Sequence, residues 1–179
     1  MNRKSGLFFL VGLLLVGSST LTAETDHIEK TATTGGLRLE LHVLPAEPFH
    51  TAAQVEADPA LEGMLAVGGA KPLGLAAEPR PNHHLIVHVF DAKTGKPLSD
   101  AKVTMEYRPL DAAGEPQGRW KTVPVVVMQV IGKGPETTHY GNNVVLPDGR
   151  WAVTVTANGN KAEFDISIPS KENEPVSSE

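Results

Sequence analysis

Alternation of apolar and polar residues is the dominant pattern of this sequence. It runs through "LRLELHVL" (residues 37–44), "HHLIVHVFD" (83–91) and "AKVTMEYRPL" (101–110). Because successive side chains of a strand point to opposite faces, each segment is predicted to be a strand with one buried face. The residues predicted to face the core are Leu37, Leu39, Leu41, Val43, Leu85, Val87, Val89, Val103, Met105 and Tyr107.

The second half of the chain adds turn signals to this pattern. "WKTVPVVVMQVI" (residues 120–131) is a longer apolar run in which Pro124 indicates an edge or a bulge, because proline cannot donate a ladder hydrogen bond. "NNVVL" predicts a short strand, and "RWAVTVTA" and "AEFDISI" flank Asn158-Gly159, a strong hairpin signal. With about seven strands and no long segment of helical period, we predict an all-β fold, an antiparallel immunoglobulin-like β-sandwich.

Composition changes along the chain predict its organisation. The sandwich is assigned to residues 37–168, with a flexible polar segment before it (24–36) and a disordered polar tail after it (169–179). Residues 45–82 form a long Ala-, Pro- and Gly-rich loop in which "HTAAQVEADPALEGML" can hold a short helix or two. Loops of this length are usually either functional or poorly ordered, and the sequence leaves that choice open.

The N terminus has the pattern of a cleaved export signal. Arg3 and Lys4 precede the apolar run "GLFFLVGLLLVG", and the small residues "SSTLTA" follow it. The run is too short to span roughly 30 Å of hydrocarbon comfortably, so we predict cleavage after Ala23 and a periplasmic protein rather than a membrane anchor. Cleavage would remove two of the 16 basic side chains and none of the 21 acidic ones, which changes the net charge from −5 to −7. Such an acidic protein lacks the basic patch that binds nucleic acid.

Catalytic motifs are missing from the sequence. There is no serine nucleophile elbow, no phosphate-binding glycine loop and no zinc-protease histidine pair. The chain also has no cysteine, which excludes a thiol nucleophile and disulfide bonds. We therefore expect a protein that is not an enzyme, and any metal site must use histidine, methionine, tyrosine or carboxylate ligands.

The seven histidines are unevenly distributed along the chain. His83, His84 and His88 crowd one predicted strand, and His139 lies in "GPETTHYGNN" (residues 134–143), which is predicted to be a loop between two strands. Imidazole suits copper, zinc and ferrous iron, and the thioether of the nearby Met128 suits cuprous copper. Met128 is either such a ligand or a core residue, since methionine in an apolar strand commonly fills space.

Strand geometry restricts how these residues can share an ion. Residues four apart on a strand lie about 13 Å apart, so His84 and His88 share a face but can bind one ion together only if a bulge bends the strand. His83 points to the opposite face. A site would therefore combine one or two histidines of this strand with His139 and Met128 from another segment. The remaining histidines, His27, His42 and His50, are expected to be ordinary surface residues.

Two stretches give the sequence a resemblance to a known family. "HHLIVHVFD" and "THYGNNVVLPDGRWAVTV" resemble segments of the exported iron-transport accessory proteins, which pair with a membrane iron permease. Members of that family are β-sandwich dimers that bind copper, and iron or manganese, through histidine, methionine and a carboxylate. The stretch "DAKTGKPLSDAKVTMEY" is also similar to the broader YtkA-like exported domains. The resemblance extends from His83 to Ile168.

The resemblance implies a ligand role for His84, Met128 and His139. The sequence departs from the family where Ile86 and His88 replace a glutamate and an aspartate, and where paired methionines are reduced to Met128. The gap between Met128 and His139 is also longer than in the family. We therefore expect a site with more imidazole, in which His88 is a fourth ligand reached through a bulge.

The sequence thus leads to two hypotheses of different classes. In the first, the protein is exported and binds a transition metal, copper or iron, for handling or transport; the resemblance implies a membrane permease or envelope complex as partner and a homodimer. In the second, the protein is a metal-free structural or interaction module that docks to such a complex through a sheet edge or the 45–82 loop. Ligands on opposite faces of a sheet would exclude the metal site.

Overall fold

A computed structural model describes residues 27–170 and places eleven strands and one short helix there. The strands are β1 (Ile28–Thr34), β2 (Leu37–Pro45), β3 (Phe49–His50), β4 (Met64–Gly69), β5 (His83–Asp91), β6 (Val103–Leu110), β7 (Lys121–Val123), β8 (Val126–Val130), β9 (His139–Val144), β10 (Gly149–Ala157) and β11 (Asn160–Ile168). Helix α1 is Ala52–Ala57, and a 3-10 turn covers Pro135–Thr137. Within residues 27–170, no helix has the length and apolarity needed to cross a membrane. The predicted leader and nearly all of the predicted tail lie outside the described residues.

The strands form two sheets. A seven-stranded sheet has the order β1-β2-β5-β9-β8-β4-β3, and a four-stranded sheet has the order β11-β10-β6-β7. The strand pairs are antiparallel except for the short β3–β4 pair, which is parallel. The chain passes from one sheet to the other at Pro124, between β7 and β8. The predicted all-β antiparallel sandwich is confirmed, with eleven strands instead of about seven.

The main core lies between the two sheets and contains the residues that the alternation predicted. The predicted inward residues of β2, β5 and β6 are buried there, except Val103, which is partly buried against the cluster. The predicted hairpin is confirmed: β10 and β11 pair antiparallel across Asn158-Gly159, whose φ angles are +49° and +82°. In its register Trp151 lies opposite Ile166, and both face the main core.

The N-terminal segment is more ordered than the sequence indicated. Residues 24–36 were expected to be flexible, but Ile28–Thr34 pairs with β2 along its whole length. The connecting Gly35 and Gly36 have φ angles of +53° and +79°, which glycine adopts without steric cost. The prediction was wrong because β1 is an edge strand whose polar residues are mostly exposed. Such a strand does not need the regular alternation of apolar residues by which the other strands were identified.

The 45–82 loop contains three regular elements. Helix α1 confirms the predicted short helix; Thr51 caps it by accepting a hydrogen bond from the backbone N–H of Gln54. Strand β4 pairs with β8, and β3 pairs with β4, so this segment supplies two strands of the seven-stranded sheet. The sequence missed them because β3 is only two residues long and β4 ends in Gly68-Gly69.

The segment "GPETTHYGNN" is only partly a loop. His139–Val144 forms strand β9, which lies between β5 and β8 and is buried at every residue. Gly141 is needed for close strand approach and not for a turn, because a Cβ atom there would lie 2.0 Å from the carbonyl oxygen of Leu85. Tyr140 faces the main core. The expectation of a loop from residue 134 to 143 was therefore wrong for its second half, since glycine and asparagine suggested a turn.

The seven-stranded sheet curls over its outer face. Strands β2 and β3 are separated by four other strands, yet only residues 46–48 connect them. A flat sheet would hold them about 24 Å apart at a strand spacing of about 4.8 Å, whereas four residue steps reach only about 14 Å. Leu44 of β2 and Phe49 of β3 indeed pack into one cluster. The curl makes the outer face concave at this end and encloses a second, smaller core.

Candidate metal centre

The second core combines apolar residues with buried imidazoles. Its apolar members are Met64, Ile86, Val126 and Met128, with Leu44, Phe49, Ala66 and Val130 partly buried around them. His84 and His139 are buried next to this cluster, with 0% and 1% of their surfaces exposed. Histidine is less often fully buried than the aliphatic residues, and two such rings side by side make this concave face the candidate site.

Met128 and His139 are direct neighbours across two strands. They are register partners in the antiparallel β8–β9 pair, and both are buried. Partners in such a pair project to the same face of the sheet with Cβ atoms about 4.5–5.5 Å apart. The structure thus brings the predicted soft ligand and the predicted imidazole of this segment together.

His84 joins the same group from β5. Its ring centroid lies 6.1 Å from that of His139 and 5.5 Å from that of Phe49. The Nδ1–H of His84 donates a hydrogen bond of 2.9 Å to the Oδ1 of Asn143, its register partner on β9. The three predicted ligands His84, Met128 and His139 therefore share one buried face, and the arrangement that would have excluded the metal site is absent among the described residues.

Asn143 fixes the position of the His84 ring. Its Nδ2 donates hydrogen bonds to the carbonyl oxygens of Glu47 (2.8 Å) and Leu73 (3.0 Å). These bonds identify the nitrogen of the amide, so the Oδ1 atom must be the acceptor that faces His84. They also anchor the 45–82 loop to β9. The sequence placed this asparagine in a predicted loop and did not indicate its role, because only the strand register reveals it.

The hydrogen bonds of the two buried histidines set the same tautomer. His139 donates from Nδ1 to the carbonyl oxygen of Thr137 at 2.8 Å, and His84 donates from Nδ1 to Asn143. Each ring therefore leaves its Nε2 as a bare lone pair, and neither Nε2 has a hydrogen-bond partner. A protein-held Nδ1–H with a free Nε2 is the arrangement found in histidine metal ligands.

His88 lies beside this group but not in the predicted manner. Its ring centroid is 5.1 Å from that of His139. Strand β5 pairs with β2 in continuous register from His83 to Asp91, so the bulge expected between His84 and His88 does not exist. The ring of His139 on the neighbouring strand lies close to both instead, 5.1 Å from that of His88 and 6.1 Å from that of His84.

Burial keeps these imidazoles neutral. Desolvation lowers the pKa of His84 to about 4, against a raising effect of its hydrogen bond to Asn143. Desolvation likewise lowers the pKa of His88 to about 4, and the proximity of His139 adds to that. The pKa of His139 is also lowered, mainly by burial. At neutral pH all three rings are therefore in the form that can bind a metal ion.

The sequence matches no protein-family model, no curated protein and no solved structure. The resemblance to exported iron-transport accessory proteins consequently depends on the quoted stretches alone, and the roles that it implies remain predictions.

The other histidines are arranged less as expected. His83 lies at the start of β5, two residues before the inward-facing Leu85. It therefore points to the face opposite His84, as predicted. His42 projects from β2 onto the outer face, with its ring 5.2 Å from that of His88, and His27 hydrogen bonds to His42. Both were expected to be ordinary surface residues. Their proximity could not be read from the sequence, because it depends on the pairing of β1, β2 and β5.

Proposed function

We propose that this is an exported protein that binds a transition-metal ion for handling or transport, with His84, His139 and Met128 as ligands. The observation that carries this proposal is the pair of buried, unpartnered Nε2 atoms beside a buried thioether. Imidazole and thioether are a donor set for copper.

The energetic cost of this arrangement supports a ligand role. A buried polar atom without a partner costs about 1–3 kcal/mol, and native proteins rarely keep such atoms without a reason. In residues 27–170, two of them come from neighbouring histidines that face one cluster. A leucine or phenylalanine at either position would fill the space without that cost, so packing alone does not account for the imidazoles.

The donor set favours copper over iron. Two neutral nitrogens and one thioether are soft to borderline ligands, and the thioether in particular favours the cuprous ion. The carboxylate that the resembling family uses is replaced by Ile86 and His88 on β5. A buried set of ligands without a catalytic motif suits binding and release of an ion better than catalysis. An envelope partner such as a membrane permease would receive the ion.

A competition titration against a cuprous chelator tests the proposal. His139→Ala should weaken binding at least tenfold, about 1.4 kcal/mol, because it removes one of two imidazole ligands. His50→Ala is the matched control, since His50 lies on β3 and outside the set. Far-UV circular dichroism checks that both variants are folded. Equal affinities for the wild type and His139→Ala would remove this residue from any metal site and favour the metal-free interaction module.

A further inference from the structure

A second group of ligand atoms lies at the surface, on β1 and β2. A nitrogen of His27, a carboxylate oxygen of Glu29 and a nitrogen of His42 lie within 4.8 Å of one another. Glu29 and His42 are register partners, and His27 immediately precedes β1. His27 and Glu29 are exposed and His42 is half-buried, so an ion from solution can reach all three.

The two imidazoles of this group are joined by a hydrogen bond. The Nε2 of His27 and the Nδ1 of His42 are 2.9 Å apart, and the ring planes differ by 16°. A metal ion can take the place of that hydrogen bond if the donor ring changes tautomer, so that its proton moves through solvent to its other ring nitrogen. Both rings must then turn so that their lone pairs meet the ion at about 2.0–2.1 Å. The exposed position of His27 allows this rotation.

The donor set differs from that of the buried centre. Two imidazoles and a carboxylate suit borderline divalent ions such as Zn²⁺ and Cu²⁺, and the group offers no thioether for a cuprous ion. The two sets of ligands therefore have different chemical preferences and different exposure, although they lie on the same face of one sheet.

A row of imidazole rings, called the file below, connects the surface group to the ligands of the buried centre. Ring centroids are 5.2 Å apart from His27 to His42 and from His42 to His88, 5.1 Å from His88 to His139, and 6.1 Å from His139 to His84. Exposure falls along the file, from the exposed His27 through the half-buried His42 and His88 to the buried His139 and His84. Each ring is thus within a short side-chain movement of the next.

We propose that His27, Glu29 and His42 form a second metal site, which takes a divalent transition ion from solution and passes it along His88 to the buried centre. The ion keeps its oxidation state during this transfer, so the buried centre receives it as Cu²⁺ or Zn²⁺, which its imidazoles also bind. The transfer depends on the proposed function of the buried centre, whereas binding at the surface site does not.

Zinc titration of the purified protein tests the surface site. The wild type should bind two equivalents, and His27→Ala and His139→Ala should each remove a different one. Glu29→Gln should weaken the surface site at least tenfold, because the amide is a poorer ligand than the carboxylate. His50→Ala and the exposed Glu62→Gln are the controls and should retain both equivalents.

The outcomes separate the two proposals. A single equivalent that is lost in His27→Ala but kept in His139→Ala would support the surface site and overturn the passage of zinc to the buried centre, whose cuprous affinity is tested separately. An unchanged stoichiometry and affinity in His27→Ala would overturn the surface site, whatever happens at His139. Because His27 and Glu29 are exposed, their variants are expected to fold, and circular dichroism verifies it.

The transfer has its own measurement. Stopped-flow loading of the buried centre with a limiting amount of Cu²⁺, followed by visible absorption, should be at least threefold slower in His27→Ala than in the wild type. The equilibrium affinity of the buried centre should stay the same, since His27 is not one of its ligands. Equal loading rates would overturn the transfer and leave the surface group as an independent binding site.

Discussion

The two faces of the seven-stranded sheet bury very different residues. The inner face meets the four-stranded sheet through aliphatic and aromatic side chains such as Leu41, Val87 and Tyr140. The outer, concave face buries Ile86 and Met128 together with the imidazoles of His84 and His139. At its concave end the outer face also excludes water, and there it encloses the unpartnered Nε2 atoms of His84 and His139.

This difference separates stability from chemistry. Burial of apolar surface on the inner face stabilises the sandwich by about 25 cal/mol for each Å² removed from water. On the outer face part of that gain is offset, because the desolvated Nε2 atoms of His84 and His139 have no hydrogen-bond partner and destabilise the fold. Substitutions on the inner face should therefore act mainly on the free energy of unfolding at neutral pH. Substitutions of the outer-face ligands should act on metal binding and, for His84, on the pH dependence of the free energy of unfolding.

The largest expected effect is on the inner face. Phe164→Ala should lower the free energy of unfolding by about 3–5 kcal/mol, because it removes a buried ring and leaves a cavity. Phe164 is 6% exposed and lies opposite Val153 in the β10–β11 pair. Urea titration at pH 7 measures the change, and the copper affinity of the folded variant should equal that of the wild type.

Phe90→Ala is the control for this substitution. Phe90 is partly buried on the outer face of β5, where the guanidinium of Arg38 lies 4.1 Å from its ring centroid. Its removal should cost clearly less than that of Phe164, because part of the ring is already in contact with water. Equal costs, or a cost below about 1 kcal/mol for Phe164→Ala, would contradict the assignment of the main core.

The second effect is loss of stability in acid, and it belongs to the outer face. The pKa of His84 is lowered to about 4 in the folded protein, and its ordinary value is about 6.5. Below pH 6.5 the unfolded chain takes up a proton that the folded chain does not. The contribution of neutral His84 is therefore fully present above pH 6.5 and is lost as the pH falls towards 4. It amounts to about 3 kcal/mol at most, from 1.36 kcal/mol per pKa unit.

A variant isolates this contribution from the titration of the carboxylates. His84→Gln removes the titrating group, so the difference in unfolding free energy between pH 7 and pH 4.5 should be smaller than in the wild type. His50→Gln should leave the difference unchanged. Urea titrations of the metal-free proteins at the two pH values provide the measurement, and an unchanged pH dependence in His84→Gln would show that the ring is not desolvated as described.

The inner face was largely predictable from the sequence. Strict alternation in residues 37–44 and 83–91 identified the inward residues, and Asn158-Gly159 identified the hairpin, because both signals are local. Strands β1, β3 and β4 were missed. They lie at or next to the edges of the seven-stranded sheet, where short length or exposure weakens the apolar pattern.

The outer face was predictable only in part. The residue types and the resemblance singled out His84, Met128 and His139, and the register of β5, β8 and β9 places them together. The sequence could not reveal that Asn143 holds His84, or that His42 adjoins His88, since both contacts join residues far apart in the chain. The prediction that His139 lies in a loop was also wrong. Glycine and asparagine are uncommon in a central strand, so the composition of β9 suggested a turn.

The smallest effect on stability provides the sharpest comparison of the two faces, because each face contains a buried methionine. Met128 is 0% exposed in the second core and Met105 is 1% exposed in the main core. Leucine has nearly the same volume and apolarity, so Met128→Leu and Met105→Leu should each lower the free energy of unfolding by less than about 1.5 kcal/mol. Only Met128→Leu removes a proposed thioether ligand, so it alone should weaken cuprous binding, at least tenfold, with a smaller loss for the cupric ion.

Chelator competition with both oxidation states, on both variants and the wild type, measures this difference in affinity. If the two leucine variants bind cuprous ion equally well, Met128 is a packing residue, and the outer face differs from the inner one only in its histidines.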